Sequence, residues 1–166
     1  MLISNLIGIF FENIDLVFFF IAIVFALIQQ ASNKEKLPSA EIWFRWITLF
    51  PIGITAFYSF VMHAFFGDFT AAAIGWSNSP FQYEVAMANL AIAVIAICAF
   101  KASYGFRLAT VLAVVCWLGG DATGHIYQII VTHDFAVGNA GSWFWLDVLL
   151  PIVMIVLIVK LRKYRN

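Results

Sequence analysis

The sequence predicts an all-α protein: a polytopic membrane helix bundle with about five transmembrane helices. Of its 166 residues, 64% are hydrophobic and only 11% are charged, and the mean hydropathy is +0.97. A soluble domain carries about 25% charged residues, so we expect lipid to solvate most of this surface. Five apolar segments each approach the roughly 20 residues that a helix needs to cross a bilayer. The length suits a single transmembrane domain, residues 1–166.

Proline and glycine mark special positions within the predicted spans. Pro51 and Pro151 interrupt the second and fifth spans, where each removes one backbone hydrogen bond and favours a kink. The Gly119–Gly120 pair in the fourth span predicts a bend or a close helix approach. An apolar stretch at residues 2–11 is too short to span, and is either an interfacial helix or an extension of the first span. The spans are predicted at residues 14–30, 42–66, 80–100, 106–131 and 143–161.

The third span has a distinct start and an alanine-rich body. Ser79 is typical of an N-cap, Pro80 suits the first helical position, and Gln82 completes a Ser-x-x-Gln capping box. Small residues let helix backbones approach closely in lipid, which favours a central position for this helix. The alternative is that alanine only raises its helix propensity. The alanines are Ala86, Ala88, Ala91, Ala93, Ala96 and Ala99.

The basic residues all flank the same ends of the predicted spans. They are Lys34, Lys36, Arg45, Lys101, Arg107, Lys160, Arg162, Lys163 and Arg165. The positive-inside rule makes these ends cytoplasmic. With five spans, the N-terminus is then outside and the C-terminus is cytoplasmic.

Most acidic residues and every histidine fall at the opposite, non-cytoplasmic ends. A carboxylate inside a span is costly when unpaired in hydrocarbon, so it takes up a proton, pairs with histidine, meets water or binds a cation. No Lys or Arg is predicted at this level to neutralise these groups. They are Glu12, Asp15, Asp68, Glu84, Asp121, Asp134, Asp147, His63, His125 and His133.

Four of these side chains form the predicted site: Glu84, Asp121, His125 and His63. The helical rise of about 1.5 Å per residue places them in one layer beneath the non-cytoplasmic surface. Asp121 and His125 are four residues apart and share a helix face, which Gln128 continues. This set of donors suits a zinc, iron or manganese ion. The alternatives are a metal-free protonatable cavity, which we rank first, and structural packing in which His125 bonds to Asp121.

Two outer segments favour a cavity at this level. Residues 67–79 are too apolar for a free loop and too short to span, so we expect them to fold back as a partly buried cap. Residues 132–142 form a second outer loop, which contains His133, Asp134 and two glycines.

Three strings of the sequence resemble a family of small bacterial integral membrane proteins whose activity is uncharacterised. They are Ile74-Gly-Trp-Ser-Asn-Ser-Pro-Phe-Gln-Tyr-Glu84, Gly120-Asp-Ala-Thr-Gly-His125 and Gly138-Asn-Ala-Gly141. The resemblance runs through most of the chain after the first span. It implies a multi-pass protein of the bacterial inner membrane, and it implies no activity, cofactor or catalytic residue.

Three functional hypotheses follow from these patterns. The first is a protein that binds a cation or small solute at the acidic level, because an uncompensated acidic vestibule concentrates cations. The second is a membrane-embedded enzyme acting on a lipophilic substrate, with Glu84 and Asp121 as acid and base. The third is an intramembrane accessory subunit, bound to a membrane-protein partner or to copies of itself. The bilayer is the partner that composition requires, and the zero net charge predicts no nucleic-acid partner.

Overall fold

The computed structural model describes residues 8–164, and every regular element in this range is a helix. The helices in chain order are α1 (Ile14–Ala31), α2 (Ser39–Phe65), α3 (Gly67–Ile74), α4 (Phe81–Ala99), α5 (Tyr104–Thr132), α6 (Val137–Ala140) and α7 (Ser142–Leu161). A 3-10 turn at Arg162–Tyr164 follows α7. Helices α1, α2, α4, α5 and α7 are long and apolar enough to cross a membrane. The prediction of an all-helical, multi-pass membrane protein with five spans is therefore confirmed.

The chain before α1 is helical over residues 8–12 and then makes a turn at Asn13. The Asn13 side chain donates a hydrogen bond of 2.9 Å to the carbonyl of Ile9. The helical segment is thus set apart from the first span by this turn. The rest of the predicted N-terminal stretch, residues 2–7, lies outside the described part of the chain.

Short connections make consecutive spans run in opposite directions, so the bundle has two distinct ends. We name the end formed by residues 32–38, 100–103 and 162–164 the basic end. The end formed by residues 66–80 and 133–141 is the acidic end. Within residues 8–164, every Lys and Arg lies in a connection at the basic end or within about two helical turns of it.

A network of ion pairs holds three spans together at the basic end. Arg107 of α5 is only 6% exposed, and its Nη1 and Nη2 donate to the two carboxylate oxygens of Glu41 of α2 at 2.5 and 2.8 Å. Its Nε and Nη2 also donate to the carbonyls of Ala99 and Phe100, at the end of α4, at 3.0 and 2.8 Å. Arg45 Nε donates to the same Glu41 at 2.7 Å. Bidentate, charge-assisted bonds of this kind are strong and fix geometry.

Helix α2 accommodates Pro51 by widening instead of breaking. The segment Thr48–Ile54 around the proline is π-helical, because Pro51 has no N–H and its ring disturbs the regular α-helical ladder. Gly53 in this segment lies against α4, where a Cβ would approach Cγ1 of Ile97 to 2.9 Å. The predicted kink therefore takes the form of a π segment that brings two spans close together. In α7, Pro151 lies inside a helix that continues to Leu161.

The alanines of α4 are packing residues, as one of the two interpretations predicted. Ala86, Ala93, Ala96 and Ala99 are each at most 1% exposed. However, α4 packs mainly along α2 and, to a smaller extent, on α5, whereas α2 contacts α1, α4 and α7. Helices α2 and α7 thus each pack on three other spans and α4 on only two, so the expected central position of α4 is wrong.

The predicted capping box at the start of α4 is also wrong. Pro80 occupies the N-cap position and no side chain caps the helix. The Gln82 side chain is engaged elsewhere, because its Oε1 bonds to Nδ1 of His63 on α2. A contact between two helices has replaced the local cap.

We expect the substitution Glu41→Gln to destabilise the bundle, because it leaves the buried Arg107 guanidinium without its carboxylate. Breaking such a pair costs about 3–5 kcal/mol. The free energy of unfolding, measured by denaturant titration of the detergent-purified protein, checks this. The matched control is Glu35→Gln: Glu35 is 65% exposed and 3.8 Å from Arg45, so its loss should cost at most about 1 kcal/mol. Equal losses for the two variants would contradict a stabilising role of the buried network.

Candidate functional site

A large cavity lies in the half of the bundle next to the acidic end. Its volume is about 1120 Å³, and residues from all five spans and from α3 and α6 line it. Most of its wall is apolar. Sites for small organic molecules are typically apolar clefts of about 300–1,000 Å³ with a few polar groups that fix orientation. This cavity is slightly larger than that range and has the wall chemistry of such a site.

Acidic and histidine side chains from four spans and from the segment before α1 converge on the cavity. Those in its wall are Glu12, Asp15, His63, Asp121, His125 and Asp147. Among the described residues that line it, none is Lys or Arg. The carboxylates therefore face an apolar space with no cationic partner of the Lys or Arg type.

Asp15, Asp121 and Asp147 form what we name the aspartate cluster, contributed by α1, α5 and α7. Asp147 lies within electrostatic reach of the other two. Asp15 is 1% exposed and its Oδ1 accepts a hydrogen bond of 2.9 Å from Ser142 Oγ. Its Oδ2 is buried and has no hydrogen-bond partner within residues 8–164. A buried acceptor left unpaired is costly, so one of the two Asp15 carboxylate oxygens lacks a hydrogen-bond donor among the described residues.

His125 is held in a defined orientation by α6. Its Nδ1 lies 2.7 Å from Oδ1 of Asn139, which is fully buried and donates through Nδ2 to the carbonyl of Asp134 at 2.8 Å. Because the Asn139 amide oxygen accepts, Nδ1 carries the proton and Nε2 is the free ring nitrogen. Nε2 lies 3.7 Å from Oδ2 of Asp147. The predicted pairing of His125 with Asp121 is thus replaced by contacts to Asn139 and Asp147.

The cavity wall contains two further polar side chains, His63 and Trp117. The first joins two spans and the second has an N–H that is unpaired within residues 8–164. His63 Nδ1 bonds to Oε1 of Gln82, which joins α2 to α4 within the wall. Trp117 also lines the cavity, and its buried indole N–H has no acceptor among the described residues. The wall therefore holds an unpaired donor as well as the unpaired acceptor of Asp15.

Glycines of α5 enlarge the cavity beside Asp121. Gly120 and Gly124 both line it, and a Cβ at either position would meet no atom within 4 Å. Gly119 does not line it and also has open space around it. Helix α5 runs through all three without interruption, and the open space at Gly119 and Gly120 shows that the predicted close helix approach is wrong. Gly120 and Gly124 leave space for the cavity instead.

The segment at residues 67–79 contributes the cap that the sequence predicted, in helical form. Helix α3 ends at Ile74, and its C-cap Gly75 has a φ of +86°, the left-handed conformation that favours glycine. Helix α3 packs closely on α6, because a Cβ on Gly138 of α6 would lie 2.8 Å from the carbonyl oxygen of Ala73 of α3. Residues of both helices line the cavity at the acidic end.

The predicted site residues divide into two groups. Asp121, His125 and His63 line the cavity, whereas Glu84 and Gln128 are not among its lining residues. Glu84 is exposed and does not line the cavity, although Phe81, Gln82 and Val85 beside it on α4 do. Gln128 is on the face of Asp121 but about 10 Å further toward the acidic end.

The predicted metal site is not supported by this geometry. Within residues 8–164, no three His, Cys, Asp or Glu side chains are arranged so that they could hold a metal ion. The predicted set of Glu84, Asp121, His125 and His63 does not converge, because Glu84 is exposed and does not line the cavity. The side chains that replace it at the cavity are Asp15 and Asp147, which the sequence placed at the same level but outside the predicted site.

The chain has a match among protein families. No curated protein and no solved structure shows significant similarity to it. The model of a family of unknown function, DUF6790, matches residues 12–166. The matched region includes all five spans and almost the whole cavity wall. The chain therefore belongs to the DUF6790 family.

Proposed function

We propose that this membrane protein binds a small organic solute with a positive charge in the cavity at its acidic end. The observation that supports this is the aspartate cluster, which lies in a mostly apolar cavity of about 1120 Å³ whose described wall has no Lys or Arg. Carboxylates in an apolar space attract a cation strongly, because the local dielectric constant is low. The proposal keeps the cation or small solute that the sequence predicted and replaces a metal ion with an organic cation.

The size of the cavity and its chemistry both favour an organic cation. A bare metal ion would leave most of the volume empty, and the donor geometry for one is lacking among the described residues. An ammonium group, in contrast, has up to three N–H donors that different carboxylates can accept. The apolar wall would bury the hydrocarbon part of the same molecule, which stabilises binding by about 25 cal/mol per Å².

The layer beneath the cavity supports binding from one side. Thr48, Ala96, Val114 and Met154 are each 0% exposed. Each lies about one helical turn nearer the basic end than the deepest cavity-lining residue of its own span. We name this layer the floor. Since the floor is closed and packed, a solute would enter and leave at the acidic end, which the positive-inside rule assigns to the non-cytoplasmic side of a bacterial inner membrane.

A second function, that of an enzyme acting on a lipophilic substrate, is favoured by one observation. The bond to Asn139 leaves His125 Nε2 as a proton acceptor, 3.7 Å from Asp147. A histidine and a carboxylate at this distance in a cavity are suited to general acid–base chemistry. We rank this function second because the cavity geometry alone points to no particular reaction.

The substitution Asp147→Asn should weaken binding of 2-phenylethylammonium by about 10-fold to 100-fold, the usual contribution of a hydrogen bond to a charged group. Binding of 2-phenylethanol, which has the same shape without the charge, should change little. Calorimetry on the detergent-purified protein measures both. The matched control is Asp68→Asn at the same end of the bundle, where Asp68 is exposed and accepts from Asn78. If the ammonium ion and the alcohol bind equally to the unchanged protein, the proposal fails.

A bulky side chain inside the cavity should weaken binding whatever the charge of the solute. Gly120→Leu places a side chain into the open space beside Asp121, whereas Gly119→Leu adds the same volume on α5 outside the cavity. We expect the first variant to lose at least about 10-fold in affinity, which corresponds to about 1.4 kcal/mol. The second should bind normally. Both should unfold at similar temperatures, and a loss of binding in both would argue against this cavity as the site.

The enzyme hypothesis has its own test. The unchanged protein is incubated with a total membrane lipid extract, and mass spectrometry follows the consumption of any lipid. Turnover that disappears in His125→Asn and persists in His133→Asn would favour the enzyme. His133 is an exposed residue with a φ of +54°, which asparagine adopts readily. No consumption of any lipid by the unchanged protein would leave solute binding as the function of the cavity.

A further inference from the structure

The basic end has a second recess, separate from the cavity. It is a groove of about 650 Å³ between α1, α2 and α7, and it shares no lining residue with the cavity at the acidic end. Its apolar part includes Phe19 and Ile23 of α1, Ile47 of α2, and Val153 and Leu157 of α7. Any ligand of this groove is therefore independent of the proposed function.

The groove has the depth of one bilayer leaflet. Phe19 lies 12 residues before the end of α1, about 18 Å from the basic end at the helical rise. Val153 lies seven residues before Lys160, or about 10 Å deeper than that lysine. Half of the hydrocarbon core of a bilayer is about 15 Å thick. An acyl chain lying along the bundle would match this length.

The mouth of the groove is cationic. Lys160 and Lys163 line it together with Ser39, Trp43 and Tyr164, and no acidic side chain is among the described lining residues. Within residues 8–164 neither lysine forms an ion pair, in contrast to Arg45 and Arg107, which Glu35 and Glu41 neutralise. Lys163 Nζ rests over the Tyr164 ring at 5.1 Å. Two exposed ammonium groups are thus left at the level where lipid headgroups lie.

We propose that this groove binds an anionic phospholipid, with an acyl chain between α1, α2 and α7 and the phosphate at Lys160 and Lys163. Charge complementarity selects the headgroup, because basic recesses at the ends of membrane spans recognise anionic lipids. The apolar part of the groove favours a lipid over a free phosphate, because an acyl chain would lie in it. Trp43 fits this position, since indole rings concentrate at the boundary between headgroups and hydrocarbon.

The test measures lipid binding to the detergent-purified protein by native mass spectrometry, with long-chain phosphatidylglycerol and phosphatidylcholine as probes. We expect the anionic lipid to bind more tightly. Lys160→Gln should weaken it by about five-fold, and the double variant with Lys163→Gln by about 25-fold. The matched control is Lys101→Gln, an exposed lysine at the same end that does not line the groove. Equal binding of the two lipids, or an equal loss in the Lys101→Gln variant, would overturn the proposal.

A second pair of variants tests the acyl-chain part. Val153→Trp fills the groove and should weaken phosphatidylglycerol binding, whereas Ile152→Trp, at a 56% exposed neighbouring position outside the groove, should not. Competition by inorganic phosphate at low millimolar concentration would mean a phosphate site without a lipid and would also overturn the proposal. The unfolding temperature of each variant confirms that it is folded. Loss of solute binding at the acidic end has no bearing on these results.

Discussion

Charge that lies within an apolar bundle must be neutralised, and the two ends of this protein meet that constraint differently. At the basic end, Glu41 accepts bonds from both Arg107 and Arg45, so buried charge is paired inside the chain. At the acidic end, Asp15, Asp121 and Asp147 share one cavity with no Lys or Arg in its described wall. Burial of unpaired charge is expensive in hydrocarbon. The ion pairs at the basic end stabilise the bundle. The aspartates at the acidic end have no such pairing within the described wall and cost stability, so the acidic end is the better candidate for a functional site.

The cavity exists because several local features each leave space or hold a polar group. Gly120 and Gly124 present no side chain beside Asp121, and the cap formed by α3 and α6, which contact each other closely at Gly138, lines the cavity at the acidic end. The π segment of α2 supplies part of the wall, and its Thr48 belongs to the packed floor. Helix α6 holds His125 through Asn139. No single helix makes the site, and its chemistry depends on the way in which five spans and two short helices meet.

The sequence predicted the spans well because each apolar run is long and uninterrupted, and it predicted the segregation of charge because short connections fix alternating directions. It placed Asp121 and His125 on one face correctly, since that follows from the helical period alone. It failed for Glu84 because the rotation of α4 is set by packing on α2, and a shift of two residues turns a side chain to the opposite face. It also missed Asn139, because α6 has four residues and a helix that short has no periodic pattern. The depth of a residue along its span was therefore predictable from the sequence, whereas the rotation of a helix about its own axis was not.

The packed floor determines what kind of function the two recesses can have together. Thr48 and Met154 meet across it, with Thr48 Oγ1 3.8 Å from the Met154 sulfur, and both are fully buried. A solute passing from the acidic end to the basic end would have to displace these side chains and the alanine contacts of α4, which are close-packed and costly to open. The basic end would in addition repel a cation, because Lys160 and Lys163 are unpaired within the described residues. Binding at the acidic end and lipid contact at the basic end therefore fit this architecture better than conduction between them.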